Sequence, residues 1–285
     1  MKQKGKVLAG ALVGLGAAAA ALGLYGKKIA ESMENPPVAE PDLQKIRIAC
    51  IGDSITFGAG LLFRGREKNV WTALLNEKLG EDYQVLNYGI SGATLQREGD
   101  KSYRDFPQLE KAKEAKASIY LLMLGTNDSK PYNWDAQRYE TQLSEWISEL
   151  KKIGDDSRLI LMTPPFTCPA KGKKEVAFDI LNEVIRDEIR PTVMRAAEEN
   201  GLQVIDLYAF TEGHGEWFAD GVHPNKLGNQ KIADEICAQL RQIEDAKTVD
   251  GDTKTAGADT KAADGDARIT GADVKTDDTD KSGES

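Results

Sequence analysis

The chain has 285 residues and a formal net charge of −9. That balance argues against a nucleic-acid partner, which a basic face would serve. Three cysteines, Cys50, Cys168 and Cys237, lack paired spacing, and no Cys/His cluster has metal-ligand spacing, so neither a disulfide framework nor a zinc site is expected.

Residues 1–28 form the first segment. Lys2, Lys4 and Lys6 precede an uncharged run of Ala, Gly, Leu and Val over 7–24, and Lys27 and Lys28 follow. Positive charge ahead of an apolar run fits a membrane anchor or a secretory signal. The run is close to the shortest that spans a bilayer. It is long for a signal core, and no A-x-A site is well placed after it, which favours an anchor that stays attached. Either reading puts the body of the protein outside the cytoplasm. Residues 29–44, with "AESMENPPVAEPD", read as a Pro-rich linker.

From 45 to 243 strand and helix patterns alternate. "IRIACIG" (46–52) reads as a strand, and "VWTALLNEKLG" (70–80) as a helix ending at a Gly cap. "YQVLNYG" (83–89) is a second strand, and "PQLEKAKEAK" (107–116) has helical spacing. "SIYLLMLG" (118–125) is continuously apolar, as suits a strand covered on both faces. A helix over 134–154 and a strand over 158–165, stopped by prolines, follow. A helix is expected over 176–200 with a kink or break at Pro191, then a fifth strand over 202–208 and a last helix over 224–243. This order predicts one α/β domain, a three-layer αβα sandwich around a five-stranded parallel sheet.

The end of the chain repeats. Basic residues at 247, 254, 261, 268 and 275 and aspartates at 252, 259, 266, 273 and 280 each recur every seven positions. A coiled coil would need apolar a and d positions. Thr, Ala, Gly and Asp fill the rest, so residues 244–285 read as a disordered acidic tail.

In a parallel sheet, ligands bind beyond the carboxyl ends of the strands. Four segments fall there: Gly52-Asp53-Ser54, "NYGISG" (87–92), "GTNDS" (125–129) and "ADGVHP" (219–224). Together they supply a hydroxyl, main-chain N–H groups, an amide, a carboxylate and an imidazole, the inventory of acyl transfer. Ser54 is the candidate nucleophile; the alternative is a capping serine in an ordinary turn. His223 is the candidate base. Asp220 stands three residues earlier, within reach of the far ring nitrogen. Pro224 marks a helix start behind the imidazole. Ser91 and Ser129 are rival hydroxyls, but neither stands at the first strand end. Asp53 reads as a brace for its loop, Asp128 as structural. His214, between two glycines in "TEGHGEW", sits where geometry is hard to hold. The phosphate-loop and dinucleotide patterns are absent, and no cofactor is expected.

The segments G-D-S-I-T-F-G from Gly52, N-Y-G-I-S-G from Asn87, G-T-N-D from Gly125 and D-G-V-H-P from Asp220 resemble the SGNH hydrolases, also called the GDSL esterase and lipase family. The resemblance covers roughly 45–243. It implies a flavodoxin-like sheet, Ser54 as nucleophile, His223 as base and Asp220 as its orienter. It also implies an oxyanion hole made of the Ser54 and Gly89 N–H groups and the Asn127 amide. For an extracytoplasmic member, the expected substrate is a small acyl ester, acetyl first, on a carbohydrate or cell-envelope glycan. A lysophospholipase, arylesterase or thioesterase of the same fold and a non-catalytic glycan-binding module are the alternatives. No long apolar cap interrupts the motifs, which favours short acyl chains. The segment "AGLLFRGREKN" (59–69) is expected to shape the substrate site. Trp134 and Trp217, with Tyr132, Phe57 and Phe218, lie near the motif loops and could line it or serve as core. The expected partners are a small-molecule or glycan ester and, through residues 1–28, a membrane. The oligomeric state is not set by the sequence.

Overall fold

Five apolar runs form parallel strands in this computed structural model: β1 (Ile46–Gly52), β2 (Tyr83–Gly89), β3 (Ile119–Met123), β4 (Arg158–Met162) and β5 (Gln203–Ile205). The structure describes residues 26–27, 36, 38–62, 65–154 and 156–256. The apolar run over 7–24 and the repeats beyond 256 lie outside the described residues. Two compact units divide between Gln239 and Leu240, and the sheet and its loops belong to the first. The sheet order is β2-β1-β3-β4-β5, the flavodoxin-like order.

Every residue of β3 is buried, which is why its sequence shows no alternation. Helices cover both faces of the sheet. The principal ones are α1 (Ser54–Phe57), α2 (Trp71–Leu79), α3 (Gln108–Glu114), α4 (Ala136–Leu150), α5 (Arg190–Glu199), α6 (Leu207–Thr211) and α7 (Lys226–Ala256). The Asp135 side chain accepts the Arg138 N–H and starts α4. From there Tyr139, Leu143, Trp146, Ile147 and Leu150 recur at helical spacing and join Ala49, Ile51, Tyr120 and Leu122 in one core. The alternate strand residues Ile48, Cys50 and Leu121 are buried as well, so neither face meets water.

Most elements are a few residues shorter than their sequence patterns, and three differences go further. The single helix expected over 176–200 is divided into a tight turn at Ala177–Asp179, a short turn at Asn182–Val184, a π-helical turn at Ile185–Ile189, and α5. Pro191 lacks an N–H and crowds the preceding turn, and the wider π turn takes up the mismatch just before it. The fifth strand stops at Ile205 because the Asp206 side chain accepts the Ala209 N–H and opens α6. The last helix runs on to Ala256 instead of ending near 243. Among the described residues no helix is long and apolar enough to cross a membrane.

Candidate active site

β1 ends at Gly52, and the chain turns at once into α1. Asp53, fully buried, makes the turn: its Oδ1 accepts the Ile55 N–H at 2.9 Å. Burial pushes the Asp53 carboxyl up, against the pull of the Ile55 N–H, the Thr126 hydroxyl and the His223 and Lys130 charges. Ser54 is the first residue of α1, a position whose N–H has no acceptor within the helix. Gly52 lies in register with Gly89 on β2 and Met123 on β3. The loops after those two strands therefore flank Ser54.

The loop ahead of α7 closes the site from the other side. Asp220 Oδ1 accepts the main-chain N–H groups of Val222 (3.0 Å) and His223 (2.8 Å). Its Oδ2 stands 2.7 Å from His223 Nδ1, and His223 Nε2 stands 2.9 Å from Ser54 Oγ. Burial pushes the Asp220 carboxyl up, but the hydrogen bond and charge of His223 and the two N–H groups outweigh it and bring it down to about 2. An ionised Asp220 makes Nδ1 the protonated ring nitrogen and leaves Nε2 to accept from Ser54. The loop itself is pinned by the Ala219 N–H donating to the His223 carbonyl at 2.8 Å.

The second motif corrects the expectation for Gly89. Its N–H donates to Asn87 Oδ1 at 2.9 Å and is not available to a substrate. A Cβ there would collide with the Phe57 main-chain nitrogen, so the glycine serves the close packing of β2 on α1. Asn87 also donates from Nδ2 to the Thr56 carbonyl (2.7 Å) and Thr72 Oγ1 (2.9 Å), bracing the Ser54 turn. The residues of this motif that reach the cleft are Ser91 and Gly92, and Gly92 is in the left-handed conformation at φ +84°. The sequence held a signal for it: Gly92 is the second glycine of "NYGISG" and lies beyond the strand end.

Asn127 also lines the cleft. Its Nδ2 donates to the Ala93 carbonyl at 3.1 Å, leaving its second N–H for another acceptor. The surrounding loops are laced together. Asp128, fully buried, accepts the Leu95 and Gln96 N–H groups, both at 2.9 Å. Burial raises the Asp128 carboxyl to about 6. Asn133 Nδ2 donates to the Asn127 carbonyl at 2.9 Å. These bonds fix Asn127 against the segment that follows Gly92.

The cleft that holds Ser54, His223, Asp220, Gly92 and Asn127 has a volume of about 400 Å³. Ala59 and Leu62, from the segment expected to shape it, line one part; Leu61 is core. Neither expected tryptophan is there. Trp134 packs 5.4 Å from Tyr139 and donates from Nε1 to Glu188. Trp217 is stacked on His214 at 3.9 Å. Both rings find their partners in the scaffold rather than in the cleft. The aromatic residue that lines it is Phe178, edge-on to His223 with ring centroids 5.2 Å apart.

The sequence profile of the GDSL-like Lipase/Acylhydrolase family matches residues 50–231. The chain belongs to that family. It is 33% identical over 228 residues to an acetylxylan esterase of Xylanibacter ruminicola. The match covers 72% of this chain and 45% of that protein, so the chain spans about half the length of that relative. Solved structures share the fold. Est24, a carbohydrate acetylesterase from Sinorhizobium meliloti, superposes with a TM-score of 0.57 at 16% identity, over 70% of this chain and all of Est24 (100%). The M. smegmatis aryl esterase gives 0.53 at 19% identity, over 69% of this chain and 98% of its own.

Proposed function

We propose that this GDSL hydrolase removes small acyl groups, acetyl first, from a carbohydrate or cell-envelope glycan through an acyl-enzyme on Ser54. The observation that carries the reading is the unbroken chain from Asp220 through His223 to Ser54, with contacts of 2.7 and 2.9 Å. His223 Nε2 takes the Ser54 proton as Oγ attacks the ester carbonyl. The negative charge that forms on the carbonyl oxygen is met by the Ser54 N–H, the Gly92 N–H and the free N–H of Asn127 Nδ2. Gly92 takes the place that the family resemblance gives to Gly89. The imidazolium, held by Asp220, returns its proton to the leaving alcohol, and the acyl group stays on Ser54. Water then attacks the acyl carbonyl and gives its proton to His223, which passes it to Ser54 Oγ as the acyl–Oγ bond breaks and the acid leaves.

A cleft with Ala59 and Leu62 on one wall and no long lid suits a short acyl chain. The name of the acetylxylan esterase relative supports acetyl and a sugar alcohol. The Lys-flanked run over 7–24 supports an extracytoplasmic, membrane-anchored protein.

A serine-directed fluorophosphonate tests the nucleophile: Ser54 becomes labelled, and Ser54→Ala does not. Folded wild-type protein that resists the reagent would instead be a binding module. A series of 4-nitrophenyl esters tests the acyl chain. Acetate is expected to turn over faster than decanoate, with each added methylene worth roughly 1–3 kcal/mol; the reverse order would refute the short-chain reading.

A further inference from the structure

Of the described residues, three that are not glycine hold a positive φ, and two of them are neighbours: Phe178 at φ +63° and Asp179 at φ +58°. Left-handed backbone is costly for a bulky residue, and such strain persists only where the surroundings enforce it. Here the segment that follows the turn is tied down twice. The Leu181 N–H donates to Ser129 Oγ at 3.2 Å, and Ser129 Oγ donates in turn to the Thr126 carbonyl. Asn182 Oδ1 accepts the Thr167 N–H at 3.0 Å. The strained turn thus hangs from the loop that carries Asn127.

The strain does not bury the ring. Phe178 is 56% exposed, although it lines the cleft and meets His223 edge-on. An open aromatic face beside the catalytic imidazole is where the alcohol half of an ester must pass, because His223 delivers the leaving group's proton. Beyond it lies a second, larger cleft of about 520 Å³, within the size range of small-ligand sites. Ile180 belongs to both clefts, so the two meet at this turn. The second cleft contains none of the triad. Its lining mixes apolar Phe166 and Val176 with Lys174, Glu175 and Asn182. Apolar surface beside hydrogen-bonding groups suits a sugar, whose ring faces are C–H and whose rim is hydroxyl.

We infer that Phe178 is a platform for the sugar that carries the acyl group, and that the adjoining 520 Å³ cleft takes the next units of the same saccharide. The inference rests on the acyl-glycan reading above and deepens it. It assigns substrate selection to the 163–182 segment rather than to the tryptophans.

The test compares acetate release from acetylated xylose, xylobiose and xylotriose with hydrolysis of 4-nitrophenyl acetate by the full-length protein. For the wild type, kcat/KM should rise roughly tenfold from the monosaccharide to the trisaccharide. Phe178→Asn keeps a residue at ease in left-handed backbone and removes the ring; Val176→Trp fills the second cleft. In each the trisaccharide advantage should shrink to less than about threefold. The ratio between substrates is the readout, so a general loss through His223 does not imitate it. A wild-type enzyme that cleaves every acetyl ester without regard to saccharide length overturns the inference and leaves the esterase reading intact. Retention of the full advantage by both variants overturns it equally. A protein that cleaves none of the acetyl esters overturns both.

Discussion

The protein contains two histidine–carboxylate pairs, and they are built differently. His223 and Asp220 stand 2.7 Å apart with the imidazole only 12% exposed. His214 and Glu216 stand 3.0 Å apart with the imidazole 45% exposed. At the first pair the carboxylate also accepts two main-chain N–H groups, and the other ring nitrogen meets a serine. At the second pair the ring lies flat on Trp217. A carboxylate beside a histidine is thus common chemistry. A fixed carboxylate, a shielded ring and a nucleophile on its far nitrogen make a catalytic unit.

The sharpest way to break this comparison is to remove each ring. His223→Ala should lower kcat by about 10⁴-fold or more. His214→Ala should cost about tenfold or less. Steady-state kinetics on 4-nitrophenyl acetate decides, and a reversed pattern would exchange the roles of the two pairs.

Removing only the orientation comes next. Asp220→Asn offers an amide where Nδ1–H needs an anion, and should lower kcat by about 10²- to 10⁴-fold with the fold retained. Because the Asp220 carboxyl lies at about 2, its charge is kept across the working range and lost only as pH falls toward that value. The acid limb of the wild-type kcat profile should therefore carry no contribution from Asp220 well above that value, and a two-proton limb at mildly acid pH would contradict it.

Asn127→Ala removes one of the proposed oxyanion donors. It should cost about 10²- to 10³-fold in kcat at nearly unchanged KM, since the oxyanion exists only past the ground state. A rise in KM alone would make Asn127 a ground-state contact.

A smaller effect separates catalysis from scaffold. The Asp128 carboxyl is raised to about 6 by burial. A raised carboxyl favours the fold while protonated: the contribution is complete below the ordinary carboxylate range and disappears as pH rises through about 6. Compared with Asp128→Asn, the wild type should lose about 2 kcal/mol between pH 4 and pH 7, read from urea unfolding. A pH-independent difference would show that Asp128 titrates normally. Smallest of all, Glu216→Gln should leave kcat/KM within about twofold, as expected for an exposed pair.

Much of this was legible beforehand, for reasons that particular residues make plain. The apolar runs of β1 and β3 announce themselves because both sheet faces are covered. Asp220 and His223 are readable because a turn of four residues brings them together without help from the rest of the chain. Gly89 and Gly92 were not distinguishable in this way. Both are glycines in one motif; the place of Gly92 beyond the strand end was the one hint, and the side chain of Asn87 is what shows that the Gly89 N–H is already taken. Trp134 and Trp217 misled because proximity in sequence to a motif says nothing of which way a ring turns. Phe178 was hidden inside an apolar pattern that reads as helix, while the residues just after it, Leu181 and Asn182, are held by the distant Ser129 and Thr167.

The strand order has a last consequence. β2, β1 and β3 are adjacent, and Ser54 and both neighbouring loops leave from their ends. The Phe178 turn follows β4, one strand further out. On the roles proposed above, bond-breaking and substrate choice fall to separate stretches of polypeptide. Inheritance can then act on them separately: under that proposal, drift in the 163–182 stretch would re-address the protein to a new substrate while the residues around Ser54 pass on unchanged.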